Sequence, residues 1–285
     1  MNVTFVNGNG SSFSIDNNNY ILSDWAGFGD MRPYVQSLKA PYQHGRTYID
    51  TLAEPKEIIL TMVIKASTRQ TLFNRRYVVE EAFNPLLGEG YLQWTQPNGT
   101  SIFRIDCVPS EVIFPEGEAK SHIHHTVILR LTALKPFWYN PVQQSENMAY
   151  FIGGLELPFE LPFTLGEMGN TKTVVNAGNV NTPVEIHFGG PITQPIVLSN
   201  ETSDKDITIT QNIAADETLK ITTEFGNKTV IIDDGITETD AWQYVQADSK
   251  FWELLVGNND LVYQAASVGE GALAAIYWYN RYSGR

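Results

Sequence analysis

The sequence has little positive charge and a single cysteine. Lysine and arginine number 19 among 285 residues, against 32 aspartates and glutamates, so the net charge is −13. Nucleic-acid affinity rests on clustered basic side chains, and this composition argues against a nucleic-acid-binding surface spread over the protein. The lone Cys107 can form no intrachain disulfide. It alternates with Phe103 and Ile105 on one face of a predicted strand, and we assign it to the core.

Long apolar segments and the common catalytic motifs are also missing. The longest apolar run covers eight residues, at 272–279, whereas a membrane-spanning helix needs about 20, so we expect no membrane insertion. The first residues show no basic segment followed by an apolar one, and we therefore expect synthesis and use from the cytosol. Neither a glycine-rich phosphate loop nor a Gly-x-Ser-x-Gly elbow occurs. We predict no enzyme activity, no catalytic or cofactor-binding residues and no cofactor.

The chain does contain many apolar and aromatic residues, 42% and 12%, which is typical of a globular protein. Its length fits two cores of ordinary size. The charge divides unevenly, because residues 1–143 carry a net −1 and residues 144–285 a net −12. Turn-forming residues at 136–141, followed by a polar stretch, mark the same position. We predict one domain at 1–143 and a second at 144–285.

The sequence of the first half predicts several strands and one helix. The Ser67-x-x-Gln70 spacing has the form of a capping box and places a helix start near Thr68. Its apolar stripe contains Leu72, Arg76, Val79 and Phe83, with Phe73 and Tyr77 beside it, and Asn84-Pro85 ends it. Strands are predicted at 58–64, 90–94, 101–108 and 125–133, with a hairpin turn at Asn98-Gly99.

The sequence of the second half predicts β structure throughout. Short segments rich in branched and aromatic residues alternate with turn signals, which is typical of a β-sandwich. The eight predicted strands are 183–188, 195–199, 206–211, 218–223, 228–233, 251–256, 261–266 and 272–279. The fold class is therefore mainly β.

A histidine cluster, His122, His124 and His125, is the sharpest local feature. His122 and His124 would share one strand face, a spacing that can place two imidazoles on one metal. The alternative is a group of solvated histidines at a strand end. We favour the second interpretation, because no cysteine or carboxylate cluster nearby supplies further ligands, and we predict no metal site.

Two further patterns have a chemical and a structural interpretation. Glycosidases use a pair of carboxylates, and the sequence offers the pairs Asp204/Asp206 and Asp233/Asp234. Because the second half is so acidic, we expect these to be ordinary surface acids instead. Tryptophan rings can stack on sugars. We place Trp252 and Trp278 in the core and regard Trp242 as the surface candidate.

Motifs along nearly the whole chain resemble the distal tail protein (Dit) family of long-tailed, non-contractile bacteriophages and their prophages. In the first half these are the segment 83–92 (Phe-Asn-Pro-Leu-Leu-Gly-Glu-Gly-Tyr-Leu) after the helix and the closing 134–139 (Leu-Lys-Pro-Phe-Trp-Tyr). In the second half they are 176–179 with 183–190, the segment 249–257 with its Trp-x-x-Leu, and 277–284.

This resemblance implies an N-terminal ring-forming β-sandwich, similar to tail-tube proteins and with one flanking helix, at 1–143. It implies a galectin-like β-sandwich at 144–285. Six copies would form a hub at the distal end of the tail, assembled in the bacterial cytoplasm. The hub would join the tail-tube protein to the tail-tip or baseplate protein and anchor host-adsorption and receptor-binding proteins. The alternative function is a carbohydrate-binding host-adhesion module of the tail.

The charge division agrees with this arrangement. A near-neutral first half can pack against copies of itself, while a strongly acidic second half favours an outward position. The aromatic segment 136–139 is then expected to fix the angle between ring and periphery. On that hypothesis, Trp138→Ala leaves the ring assembled and disorders the outer domains.

Overall fold

The structure is a computed structural model that describes residues 2–16, 18–96, 99, 101–148 and 170–285. The chain divides into two compact units. The first unit runs to Pro141 and also includes Tyr282–Arg285, and the second unit is Val142–Arg281. The division lies close to the position that the charge count predicts, but the last four residues belong with the first unit.

Ten strands and one α-helix form the described part of the first unit. Their bounds are β1 (Asn2–Val6), β2 (Ser12–Ile15), β3 (Tyr20–Ala26), β4 (Pro33–Leu38), β5 (Thr47–Ala53), β6 (Lys56–Lys65), α1 (Arg69–Ala82), β7 (Gly90–Thr95), β8 (Ile102–Ile113), β9 (His124–Ala133) and β10 (Trp138–Tyr139). Single 3-10 turns lie at Pro85–Leu87 and Gly117–Ala119.

Strand β8 connects the two halves of this unit's main sheet. The strand order is β2-β1-β7-β8-β9-β6-β3, and each neighbouring pair in this order is antiparallel. The first part of β8 pairs with β7 and the last part with β9, with a register shift between Pro109 and Glu111. A bulge accommodates proline, which has no N–H to donate. The two halves thereby enclose one core, to which both contribute.

Strands β6 and β9 lie where the sequence predicts strands, and each alternates buried and half-buried residues. Ile58, Leu60, Met62 and Ile64 are fully buried, and the residues between them are half-buried. Val127, Leu129 and Leu131 alternate in the same way along β9. Because side chains of a strand point to opposite faces in turn, one face of each strand enters the core.

The helix is where the sequence places it, but its first residues differ from the prediction. Thr68, not Ser67, is the N-cap, and its side-chain oxygen accepts the N–H of Thr71. Thr68 has the extended backbone that a cap requires, so it satisfies an N–H that lacks a partner within the helix. The helix ends at Ala82, with Phe83 as C-cap. Of the predicted hairpin turn, Asn98 lies outside the described residues.

The second unit is a β-sandwich, as predicted. Its strands are β11 (Gln144–Met148), β12 (Asn170–Asn176), β13 (Val184–Gly189), β14 (Ile192–Asn200), β15 (Lys205–Ile209), β16 (Thr218–Thr222), β17 (Thr229–Asp233), β18 (Glu238–Asp240), β19 (Gly257–Val268) and β20 (Leu273–Trp278). A 3-10 turn lies at Trp242–Tyr244. The last strand of the chain, β21 (Arg281–Tyr282), begins with the last residue of the second unit and ends with Tyr282 of the first. One sheet has the order β11-β20-β13-β16-β17-β18 and the other β12-β19-β14-β15. Both contribute to a single apolar core.

The predicted strand at 251–256 is wrong. Only Leu254 makes a ladder contact there, an isolated bridge to Thr182. The side chain of buried Asn259 instead bonds both the N–H and the carbonyl of Leu255, at 2.8 Å each. A side-chain amide thus replaces the neighbouring strand as partner of this backbone. The segment still packs inward, through Trp252 and Leu254.

Candidate functional site

The hairpin of β4 and β5 exposes large apolar side chains on both of its faces. Tyr34 and Val35 are adjacent in β4 and each is 54% exposed. Tyr48 and Ile49 are adjacent in β5 and are 63% and 57% exposed. Because neighbouring residues of a strand point to opposite faces, neither face of the hairpin is covered. Leu38 and Leu52 extend the same surface. We call Pro33–Ala53 the apolar hairpin.

The turn of the apolar hairpin places a tyrosine at its outermost point. Tyr42 has a φ of 62°, in the left-handed region that non-glycine residues rarely adopt. Its side chain is fully exposed, and Gln43 beside it is held by bonds of its side chain to the N–H of Ala40 and the hydroxyl of Thr47. The turn is thus a defined structure that presents an aromatic ring outward.

An isolated two-stranded hairpin in water is marginally stable. Strands β4 and β5 pair with each other and form a sheet separate from the unit's main sheet. At the base, Arg32 bonds to Glu57 at 3.3 Å and the N–H of Glu54 donates to the Arg32 carbonyl at 2.8 Å. A contiguous apolar surface of this kind is typical of a protein–protein interface.

The histidines do not form the predicted shared face. Strand β9 begins at His124, so His122 lies in the preceding turn and is exposed. His124 is bonded through Nδ1 to the hydroxyl of Ser121 at 2.6 Å. His125 is fully buried, and its Nε2 donates to the Pro115 carbonyl at 2.8 Å. Within the described ranges, no group of three or more His, Cys, Asp or Glu side chains is arranged to hold a metal ion.

Asp206, Asp233 and Asp234, from the two carboxylate pairs, have structural partners. Asp233 accepts a bond from Lys220 at 2.6 Å. Asp234 accepts the N–H groups of Ile236 and Thr237, at 2.8 and 2.6 Å, and so closes the turn before β18. Asp206 accepts the hydroxyl of Thr208, at 3.3 Å. Each bonded carboxylate therefore orders the surrounding chain.

The single cysteine lies in the core, as predicted. Cys107 is fully buried in β8. Burial is the main reason why the pKa of its thiol is raised far above the ordinary value. A thiol held protonated in this way is a poor nucleophile.

Two of the three tryptophans singled out in the second half are buried and one is exposed. Trp252 and Trp278 belong to the core, which confirms the prediction for them. Trp242 is 40% exposed, and its ring lies 5.2 Å from the ring of Phe251. Phe251 also lines a cleft of about 350 Å³ together with Phe225, Lys205 and Lys228. The exposed aromatic surface therefore adjoins a cleft that carries two ammonium groups.

Trp138 belongs to the core of the first unit. It is fully buried, and its indole N–H donates to the carbonyl of Phe28 at 3.0 Å. The rings of Phe28 and Trp94 lie 5.1 and 6.3 Å from it. Its removal would therefore disturb the first unit itself, contrary to the expectation that Trp138→Ala disorders only the outer domains.

None of the helices in the described ranges combines the length and the apolar character that a membrane span requires.

Two family models match consecutive parts of the chain. Residues 8–128 match the phage tail protein RIFT-related domain, and residues 177–282 match the siphovirus-type tail component, C-terminal domain. No curated protein matches the chain in sequence.

Solved structures show the same fold at low sequence identity. The crystal structure of the Dit protein (gp 19.1) of phage SPP1 superimposes with a TM-score of 0.70, at 10% identity, and covers 98% of each chain. A chain of the phage P2 baseplate in its activated conformation with Ca matches with a TM-score of 0.54, at 8% identity, over 100% of this chain and 99% of that one.

The matched domains define a siphovirus-type component of a phage tail. The chain belongs to the distal tail protein (Dit) family of long-tailed phages, as the motifs in the sequence indicate. It is a virion-associated structural protein of mainly β fold.

Proposed function

We propose that six copies of this chain form a ring, which serves as the hub of the tail's distal end. The tail-tube protein contacts one side of the ring and the tail-tip or baseplate protein the other, and receptor-binding proteins attach at the periphery. The ring is assembled in the host cytoplasm and has no enzymatic role. The SPP1 relative is described as a paradigm of the hub adsorption apparatus, which supports this assignment.

The apolar hairpin is the observation that carries the proposal. Its two exposed faces need a covering surface, and a second copy of the same chain supplies one at every position of a closed ring. Lys39, Arg46 and Asp50 are the only Lys, Arg, Asp or Glu residues in its sequence, so the segment is almost neutral. Copies can therefore approach without strong like-charge repulsion.

Charge also supports the assignment of the two halves. Residues 1–143 carry a net −1 and residues 144–285 a net −12. Six strongly acidic domains repel one another least when they are far apart. We therefore assign the ring to the first unit and the periphery to the second.

The test measures mass and symmetry. The chain is purified alone and also coexpressed with the tail-tip protein of the same phage, and both samples are studied by light scattering and negative-stain microscopy. Six copies of the 31.9 kDa chain give a particle of about 191 kDa, with sixfold symmetry in projection. A single-copy mass in both samples overturns the proposal.

A matched pair of variants tests the role of the hairpin. Ile49→Asp places a charge on its exposed surface, and we expect loss of the ring with the fold retained. Ile236→Asp makes the same change at an exposed isoleucine in a turn of the second unit, and we expect an intact ring. Equal effects of the two substitutions would contradict the assignment of the hairpin to the interface.

A further inference from the structure

The second unit contains a cleft of about 350 Å³ whose lining combines charge, aromatic rings and unbonded polar groups. Six of the side chains that line it bear on its chemistry: Asn181, Lys205, Phe225, Lys228, Phe251 and Glu253. They come from separate parts of the chain, and the strands of the sandwich bring them together.

Its two lysines have no carboxylate partner among the described residues, although the unit is strongly acidic. Elsewhere in the unit, Lys172 pairs with Glu146 at 3.0 Å, and Lys220 pairs with two carboxylates. Neither Lys205 nor Lys228 has a carboxylate within ion-pair distance among the described residues. Both ammonium groups therefore remain available for an anionic group that enters the cleft.

Aromatic rings form the apolar part of the lining. The ammonium of Lys228 lies 5.8 Å from the ring centre of Phe225 and 5.4 Å from that of Phe251. Phe225 is 86% exposed, and Phe251 in turn packs on Trp242. Exposed rings beside polar groups are well suited to the apolar C–H face of a pyranose, which packs flat on an aromatic ring.

The remaining polar groups favour a ligand with hydroxyls. Glu253 has no ion pair in the described structure, and Asn181 is exposed. A carboxylate accepts bonds from hydroxyl donors, and an amide both donates and accepts. Sugar hydroxyls meet both needs. A polyanion such as a nucleic acid fits poorly, because the surrounding half carries a net −12 and repels it.

We propose that this cleft binds a saccharide that carries an isolated anionic substituent, a carboxylate or a phosphate. Lys205 and Lys228 hold the anionic group, Phe225 and Phe251 pack against the sugar ring, and Glu253 accepts its hydroxyls. The proposal goes beyond the hub function and does not depend on it, since the cleft lies wholly within the second unit. It gives the second unit a role in recognising a glycan with an isolated anionic substituent.

Saturation-transfer NMR on the full chain tests this with two matched sugar pairs. Hyaluronan tetrasaccharide alternates glucuronate, which carries a carboxylate, with N-acetylglucosamine, and fully N-acetylated chitotetraose is a neutral tetrasaccharide of N-acetylglucosamine alone. Glucose 6-phosphate and glucose form the phosphate pair. We expect the anionic member of at least one pair to bind about tenfold more tightly than the neutral one, and the pair that responds identifies carboxylate or phosphate. Equal affinity within both pairs, or no binding of any sugar, overturns the proposal.

Variants locate the binding. The double substitution Lys205→Gln and Lys228→Gln changes two exposed side chains, and we expect it to remove the preference for the anionic sugar. Phe225→Ala removes an exposed ring and should weaken the binding of anionic and neutral sugars alike. Lys172→Gln alters charge outside the cleft and serves as the control. Circular dichroism verifies that each variant is folded. A preference that survives the double substitution, or is lost in the control, also overturns the assignment.

Discussion

Arg285 stacks on Phe103, a residue of strand β8 far earlier in the sequence. The guanidinium carbon lies 4.3 Å from the centre of the Phe103 ring and 3.4 Å from that of Tyr282. The N–H of Arg285 donates to the Phe28 carbonyl at 3.0 Å, and Lys56, itself buried, donates to the carbonyl of Ser283 at 2.8 Å. The last four residues are therefore an integral part of the first unit, although the second unit precedes them.

Removal of the Arg285 side chain should destabilise the first unit. Cation–π contacts contribute about 0.5–2 kcal/mol according to how far they are shielded from water, so we expect Arg285→Ala to cost about 1–2 kcal/mol. Hydrogen exchange of the β8 amides measures this change within the unit concerned. Arg285→Lys keeps the charge but stacks less well, and its effect should be intermediate. Faster exchange in the second unit instead would contradict this role of Arg285.

Truncation of Trp138 should unfold or strongly loosen the first unit. Large-to-small changes of buried aromatic side chains cost about 3–5 kcal/mol, and we expect that range for Trp138→Ala. Trp138→Phe keeps most of the ring volume but removes the indole donor, and because the Phe28 carbonyl still accepts the N–H of Arg285, we expect a cost of about 0.5–1.5 kcal/mol. Urea unfolding monitored by hydrogen exchange measures the loss of stability of the first unit in both variants.

A tryptophan on the surface of the same unit provides the control for this series. Trp25 is 47% exposed in β3, so Trp25→Ala should cost less than about 1 kcal/mol. If Trp138→Ala left the exchange of the first unit unchanged, the assignment of Trp138 to its core would be wrong, and the earlier hypothesis of a domain-junction residue would regain support.

The parts of the fold that the sequence predicts are those where one face of a strand is buried and the other is not. Strands β6 and β9 are rich in branched apolar residues, and they alternate buried and half-buried positions because the core covers a single face. The apolar hairpin carries no such pattern. Tyr34 and Val35, adjacent in sequence, are both exposed, and no spacing distinguishes a strand that is open on both faces from a loop.

Other features depend on contacts between distant residues. The segment 251–256 has a strand-like composition, yet Asn259 bonds the backbone of Leu255 and takes it out of the ladder. The sequence identified Trp242 as the exposed tryptophan, but the cleft beside it could not be found in the same way. Lys205, Lys228 and Glu253 are far apart along the chain and come together only in the folded sandwich.

Cys107 should react with thiol reagents only when the first unit opens. Its thiol is buried and its raised pKa keeps it protonated, whereas the thiolate is the reactive form. We expect maleimide to label Cys107 slowly in native buffer and rapidly in urea. Mass spectrometry measures the labelled fraction over time. An added surface thiol, Ile236→Cys, reports the rate for an exposed position in the same protein. Equal rates for the two thiols under native conditions would contradict the burial of Cys107.

The ion pair of Asp233 and Lys220 should stabilise the second unit only above acidic pH. The bond from Lys220, with a second from the N–H of Gly235, holds the pKa of Asp233 below its usual value of 3.8. A carboxyl whose pKa is lower in the folded state stabilises the fold at pH values above its unfolded pKa. That contribution is lost as the pH falls through the folded pKa. Asp233→Asn should therefore lower the thermal midpoint of the second unit at pH 7.

The difference between wild type and Asp233→Asn should then shrink below about pH 4 and vanish once Asp233 is protonated in both states. Above that range it should stay constant up to alkaline pH, because Asp233 and Glu238 raise the pKa of Lys220 and keep it charged. Asp248→Asn removes an exposed carboxylate and serves as the control, with no such pH-dependent difference. A difference that persists unchanged at pH values where Asp233 is protonated in the folded state as well would show that the asparagine acts through turn geometry rather than through lost charge.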